Sequence, residues 1–176
     1  PPHPAMNLLR SLQAFDGKQT GVLEQISSTL RRDPRTVAEL LKAAEHDDAR
    51  LQVAATWILK RWVEEGEPAV QERAPQLAHA LTHAADWQSQ LHLLQALALL
   101  QIPQPAVPPL TRALAPLITH TNRFLRAWSL SVYARIAEDH EPLREKVLKL
   151  LENAEHDDAA AVRARVRQIR KRIRWA

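Results

Sequence analysis

The strongest constraint on this chain is that it contains one phrase twice. Residues 37–49 read VAELLKAAEHDDA and residues 147–159 read VLKLLENAEHDDA, with nine of thirteen positions identical. The shared hexapeptide Ala44-Glu45-His46-Asp47-Asp48-Ala49 returns intact as residues 154–159. The offset of 110 residues divides into three steps of about 37, a spacing typical of stacked two-helix units. Four prolines keep a similar beat: Pro34, Pro68, Pro105 and Pro142 lie 34, 37 and 37 residues apart. Each is predicted to open a helix, because the first helical position has no use for its N–H.

Each of these first helices ends at a short polar turn: His46-Asp47-Asp48, Ala85-Asp86, His120-Thr121-Asn122 and His156-Asp157-Asp158. Asp or Asn there can cap a second helix by accepting its free N–H groups. Second helices are expected over 48–64, 86–102, 121–138 and 158–175. Taking Leu51, Leu91, Leu125 and Val162 as equivalent gives an apolar stripe at steps of three and four. It reads Leu51, Ala55, Ile58, Trp62; then Leu91, Leu94, Ala98; then Leu125, Trp128, Val132, Ile136; then Val162, Val166, Ile169, Ile173. An earlier pair, about 5–15 and 20–32, lacks the proline marker and reads as an atypical N-terminal cap. Composition agrees with helices throughout: 45% of residues are apolar, and there are only three glycines and no cysteine. The missing cysteines exclude disulfides and thiolate metal sites. No apolar run reaches the length of a membrane span. The Pro-Pro-His-Pro start lacks the apolar segment of a secretory signal, so a cytoplasmic location is expected.

A capping Asp or Asn, then an apolar residue followed by Arg (Leu125-Arg126, Val162-Arg163), then small and aliphatic positions, resembles the HEAT family of helical repeats. Prolines inside the first helices, at Pro75 and Pro116, are similar to that family as well. The resemblance covers about residues 34–175, and it departs at Gln52 and His92, where the pattern has Arg. The tetratricopeptide pattern fits less well. The resemblance implies an all-α fold, a right-handed α–α superhelix of about five antiparallel helix pairs. One domain over 1–176 is expected, with units at 1–33, 34–67, 68–104, 105–141 and 142–176. A binding or scaffolding role follows from the resemblance, with no ligand specified.

The helical wheel separates two further rows on the second helices. One flank reads Gln52, Thr56, Leu59, Val63; His92, Ala96, Leu99; Arg126, Leu130, Tyr133, Ala137; and Arg163, Arg167, Arg170, Arg174. It is largely apolar wherever a further unit follows and wholly cationic where none does. The reading is that interior units bury this flank on the next one, while the last faces water. The row opposite the stripe reads Val53, Trp57, Lys60; Leu93, Leu97, Leu100; Ala127, Ser131, Ala134; and Ala164, Gln168, Lys171, Trp175. Its apolar middle has two readings: a curved stack buries it, or it lines a groove that takes a protein or peptide partner at Val53, Trp57, Lys60, Leu93, Leu97, Leu100, Lys171 and Trp175. Trp57 is the best single anchor for such a partner.

Net charge is +4, but residues 159–176 hold seven bases and no acid, leaving 17 bases against 20 acids elsewhere. A second reading therefore has the basic end, Arg163, Arg167, Arg170 and Arg174, binding nucleic acid. That would resemble the HEAT-like alkylpurine DNA glycosylases, although the acidic remainder argues against a long phosphate-tracking groove. No phosphate loop, nucleophile elbow or cysteine nucleophile is present, so no catalytic residue and no cofactor is expected; enzyme activity stays open, because a helical stack can bring distant carboxylates together. His79 and His83 stand four apart on one helical face, a spacing that zinc sites use. With no evident third ligand, no metal is expected.

Overall fold

The computed structural model describes residues 4–176, with side chains from Leu8 onward. Among the described residues are eleven α-helices. They are α1 (Pro4–Gln13), α2 (Thr20–Thr29), α3 (Pro34–Ala43), α4 (Ala49–Glu64), α5 (Pro68–Gln71) and α6 (Ala74–His83). The chain continues through α7 (Trp87–Leu97), α8 (Val107–Ile118), α9 (Arg123–Asp139), α10 (Arg144–Ala154) and α11 (Ala160–Arg172). They pack in sequential pairs: α1 with α2, α3 with α4, α6 with α7, α8 with α9, and α10 with α11. The second members also pack on one another in the order α4, α7, α9, α11. Buried apolar side chains form one continuous cluster from Leu8 to Ile173.

The prolines do less than expected. Only Pro34 opens an unbroken helix, capped by Asp33, whose carboxylate accepts from Thr36 N at 2.8 Å. Pro68 starts the four-residue α5, and Pro105 and Pro142 fall in single 3₁₀ turns, 104–106 and 141–143. Further prolines account for two of these breaks. Pro75 cannot donate to the carbonyl of Gln71, and Pro108 and Pro109 cannot donate to those of Gln104 and Pro105, so no α-helix runs through.

The N-caps set the true register of the second helices. Asp48, Asp86 and Asn122 cap α4, α7 and α9, and Ala159 holds the corresponding place before α11. Three residues after each lie Leu51, Ser89, Leu125 and Val162, so Ser89, not Leu91, is the equivalent position. The stripe of α7 is Ser89, Leu93, Ala96 and Leu100, and all four are buried. A serine on the core face hid a shift of two residues. Leu99 moves with it, from the expected buried flank to 50% exposure. The helix also ends at Leu97 rather than 102. Its last turn tightens, with Leu99 N and Leu100 N donating to Ala96 O and Leu97 O, ahead of Pro103, which disfavours helix in the residue before it.

One residue after that stripe position, each of α4, α7, α9 and α11 carries a long polar donor that reaches back six residues to the turn. Gln52 Nε2 donates to His46 O at 3.5 Å and Gln90 Nε2 to Ala84 O at 3.0 Å. Arg126 donates to His120 O at 2.9 Å and Thr121 O at 3.1 Å, and Arg163 to Asp157 O at 2.6 Å and Asp158 O at 2.9 Å. Gln90, not His92, is thus the counterpart of Arg126. Arg126 has donors to spare and forms a two-point pair with Asp157 at 2.9 and 3.0 Å, joining the turn before α9 to the turn before α11.

At the N-terminal end, the fully buried Trp62 donates its Nε1–H to Ser27 Oγ at 2.9 Å, fastening α2 to α4. Beyond Trp62, α4 stops at Gly66, whose φ of +73° lets Glu67 N reach Trp62 O at 2.9 Å and Gly66 N reach Val63 O at 3.0 Å. These two bonds are the paired closure of a left-handed glycine C-cap.

Two measurements check this packing. The Ser89 hydroxyl is buried without a hydrogen-bond partner. Ser89→Ala is therefore expected to raise stability by about 1 kcal/mol in chemical denaturation, since an unpaired buried hydroxyl carries a desolvation cost. Acid should act in two windows. Burial, and after it the nearby Lys60 charge, push the His92 imidazole down from 6.5 to about 4. Its stabilisation is present in full above pH 6.5 and is lost as pH falls through about 4, amounting to about 3 kcal/mol. The Arg126 guanidinium, chiefly through its hydrogen bonds, holds Asp157 down from 3.8 to about 2, so its share is present above pH 3.8 and is lost as pH falls through about 2. Denaturant titrations from pH 7 to pH 2 should show the first loss flattened in His92→Gln and the second in Asp157→Asn.

Candidate binding recess

Where the second helices α7, α9 and α11 lie side by side, they leave a recess of about 230 Å³. Its apolar part is Ala98 and Leu99 from α7 and the turn after it, Trp128 and Ala134 from α9, and Ile169 and Ile173 at the end of α11. Gln95, Ser131 and Gln168 occupy one structural position, six residues after the stripe start, and together they line it with a row of amide and hydroxyl groups. Three bases, Arg135, Arg165 and Arg172, face two acids, Glu64 and Glu138.

The central feature is Arg165. Its guanidinium lies over the Trp128 ring, 3.9 Å from the centroid, a contact that stabilises a partly desolvated cation. Burial, and after it the neighbouring Arg172, push its pKa down from the ordinary value. Among the described residues neither Arg165 nor Arg172 has an ion-pair or hydrogen-bond partner. Arg135, by contrast, is engaged by Asp139 at 3.5 Å, four residues on along the same helix. The recess therefore offers an anion two guanidinium groups that make no ion pair of their own, beside an exposed leucine and with Glu64 and Glu138 on the same lining.

Of the row expected to line a groove, Ser131, Ala134 and Gln168 border this recess, while the eight residues expected to take a partner do not. Val53, Leu93, Leu97 and Leu100 are buried, as the corrected register requires: Leu93 and Leu100 belong to the stripe, and Leu97 to the flank. Trp57 is half-buried against the core, and Lys60 pairs with Glu64 at 3.6 Å. Lys171 is exposed outside the recess. Trp175 lies beyond the end of α11, because Ile173 is already extended at ψ 133°, and it packs back with Arg144 over its ring at 5.4 Å. The basic end is divided. Arg163 is spent on the turn and Arg170 pairs with Glu155, whereas Arg167 and Arg174 are exposed. The flank otherwise behaves as expected, with Leu130 and Tyr133 buried and Arg167 and Arg170 in water.

Sequence reasoning missed Leu99, Trp128 and Arg165 as a group, although aligning the helices on Asp86 rather than on Leu91 would have found the row. It also missed a third group beside His79 and His83: Glu45 reaches them from the turn after α3. A separate pair of exposed aromatics, Trp87 and Phe124, sits at the starts of α7 and α9, with Arg123 over the Phe124 ring at 4.9 Å.

No protein-family model matches this chain, and no curated protein matches it. Among solved structures it is similar to a crystal structure of an engineered protein from the Northeast Structural Genomics Consortium. The TM-score is 0.60 at 16% identity, with 96% of this chain and 83% of that one covered. The likeness is one of fold alone.

The register makes opposite demands on two leucines only two residues apart. Leu99→Glu should leave stability within about 0.5 kcal/mol, as for an ordinary surface substitution. Leu97→Glu, which buries an unpaired carboxylate, should unfold the domain or cost more than about 4 kcal/mol. Thermal melts followed by circular dichroism read both.

Proposed function

We propose that this chain is a non-enzymatic scaffold of the HEAT-like kind, a right-handed superhelix of helix pairs, that binds a peptide or protein segment in the recess between α7, α9 and α11. The segment carries an aliphatic or aromatic side chain next to a carboxylate. The observation that carries the reading is Arg165, stacked on Trp128 at 3.9 Å and making no ion pair among the described residues, with Leu99 exposed in the same recess. An arriving carboxylate would gain charge-assisted hydrogen bonds from a guanidinium already partly stripped of water. The apolar neighbour would cover Leu99 and the free part of the indole. The packing of second helices in a row, and the fold-level likeness to an engineered helical protein, support the scaffold half of the reading.

The basic end supports nucleic-acid binding less well. Two of its four arginines are committed within the molecule, Arg163 to its turn and Arg170 to Glu155, which leaves no continuous basic row for a phosphate backbone. The test is a peptide-display selection on the purified domain, followed by anisotropy titrations of the selected peptides and of single- and double-stranded oligonucleotides. Acidic–aliphatic peptides are expected to bind. Arg165→Glu and Leu99→Glu should weaken them by at least about tenfold, or 1.4 kcal/mol, while Arg167→Glu on the outer flank leaves them unchanged. Peptide binding indifferent to Arg165→Glu, or tight oligonucleotide binding that Arg165→Glu abolishes, would overturn the proposal.

A further inference from the structure

We infer that Glu45, His79 and His83 form a site for a divalent transition-metal ion, with Zn²⁺ as its best-matched occupant. The two imidazoles stand on one face of α6, four residues apart, and the carboxylate comes from the turn after α3 in the preceding pair. One ligand atom from each residue lies within 4.8 Å of the other two. Glu45 Oε1 is 2.5 Å from His79 Nδ1 and 3.6 Å from His83 Nδ1. A tetrahedral ion with bonds of about 2.0–2.1 Å holds its ligand atoms about 3.3 Å apart. The observed separations lie on either side of that value, so modest side-chain rotation brings all three onto one ion. The rotation has solvent to move into, since the side chains of His79, His83 and Glu45 are 64%, 55% and 34% exposed. It exchanges the His83 Nδ1 contacts with Thr82 Oγ1 and His79 O, both 3.0 Å, for the ion.

Three features beyond proximity point to a metal. The ring centroids of His79 and His83 are 4.5 Å apart, close enough to share a ligand. His83 occupies the last turn of α6, where outward carbonyls favour a cation. Two neutral imidazoles and one carboxylate suit zinc, nickel or copper; calcium and magnesium require mostly oxygen ligands. Glu45 and His79 also line a shallow hollow with Leu41, Lys42 and Gln76, and a fourth position on the ion would go to water. Because the ligands come from neighbouring helix pairs, the ion would clamp α6 to the turn after α3 and bind only the docked arrangement. This site shares no residue with the recess and stands independently of the peptide reading.

The test is calorimetric titration of the metal-stripped full chain with Zn²⁺, alongside thermal melts. One ion per chain should bind in the micromolar range, and a hundredfold excess over Kd should raise the melting midpoint by about 5 °C, reversibly with chelator. His79→Ala, His83→Ala and Glu45→Gln should each weaken uptake at least about tenfold, with His156→Ala as an unchanged control. These are exposed positions, so each variant should keep the unfolding midpoint of the metal-free parent. No uptake at millimolar Zn²⁺, or any one of the three variants binding as tightly as the parent, overturns the inference.

Discussion

A helix that must bury two faces while its turn stays wet needs a polar group at the boundary, and that requirement organises this molecule. The second helices α4, α7 and α9 each pack on a first-helix partner and on a following second helix. The turn that starts each one has backbone carbonyl oxygens that must find donors outside the helix ladder. Gln52, Gln90, Arg126 and Arg163 answer those carbonyls from one structural position, each six residues downstream. Glutamine and arginine are interchangeable there because the task is to reach and donate, and charge is incidental to it. The cap residue one turn earlier serves the N–H groups in the same way. Together they fix the angle at which each helix enters the stack, and through it which side chains are left facing the recess.

Periodicity carried most of the architecture. The helix pairs, the polar turns and the cationic last flank follow from spacing, proline placement and the loss of apolar residues where no further helix packs. The failure was local and had a physical origin. Alignment on hydrophobicity alone assumes that every core position is apolar, yet α7 buries Ser89 and α9 buries Ser129, whose hydroxyl donates to Leu125 O at 2.6 Å. Helix α7 is also so rich in leucine that a shift of two residues still yields a plausible stripe. Its cap, Asp86, holds the register without ambiguity because only one geometry lets its carboxylate meet Gln88 N at 2.8 Å.

The duplicated hexapeptide shows the same limit from the other side, since one sequence is put to two uses. In the first copy Asp48 caps Arg50 N at 2.9 Å, and His46 Nδ1 accepts from Asp48 N at 2.9 Å. In the second, the preceding residue, Asp157, accepts from Ala159 N at 2.8 Å while holding Arg126. The glutamates diverge as well: Glu45 meets two histidines of α6, and Glu155 meets Arg170 of α11. Local sequence specifies a turn with spare carboxylates, and the neighbouring helix decides how they are used. That is why the triad at Glu45 was invisible along the chain: its nearer partner, His79, lies 34 residues away on a different pair.

The unequal strength of the turn donors has a consequence for how the molecule comes apart. Arg126 ties its own turn and the next with a forked guanidinium, whereas Gln52 reaches a single carbonyl at 3.5 Å. Heat or mechanical tension should therefore peel helices from the amino-terminal side first, leaving α8 to α11 as the last folded remnant. The recess lies mainly in that remnant, so the surface proposed for recognition sits on the slowest-fraying part of the chain.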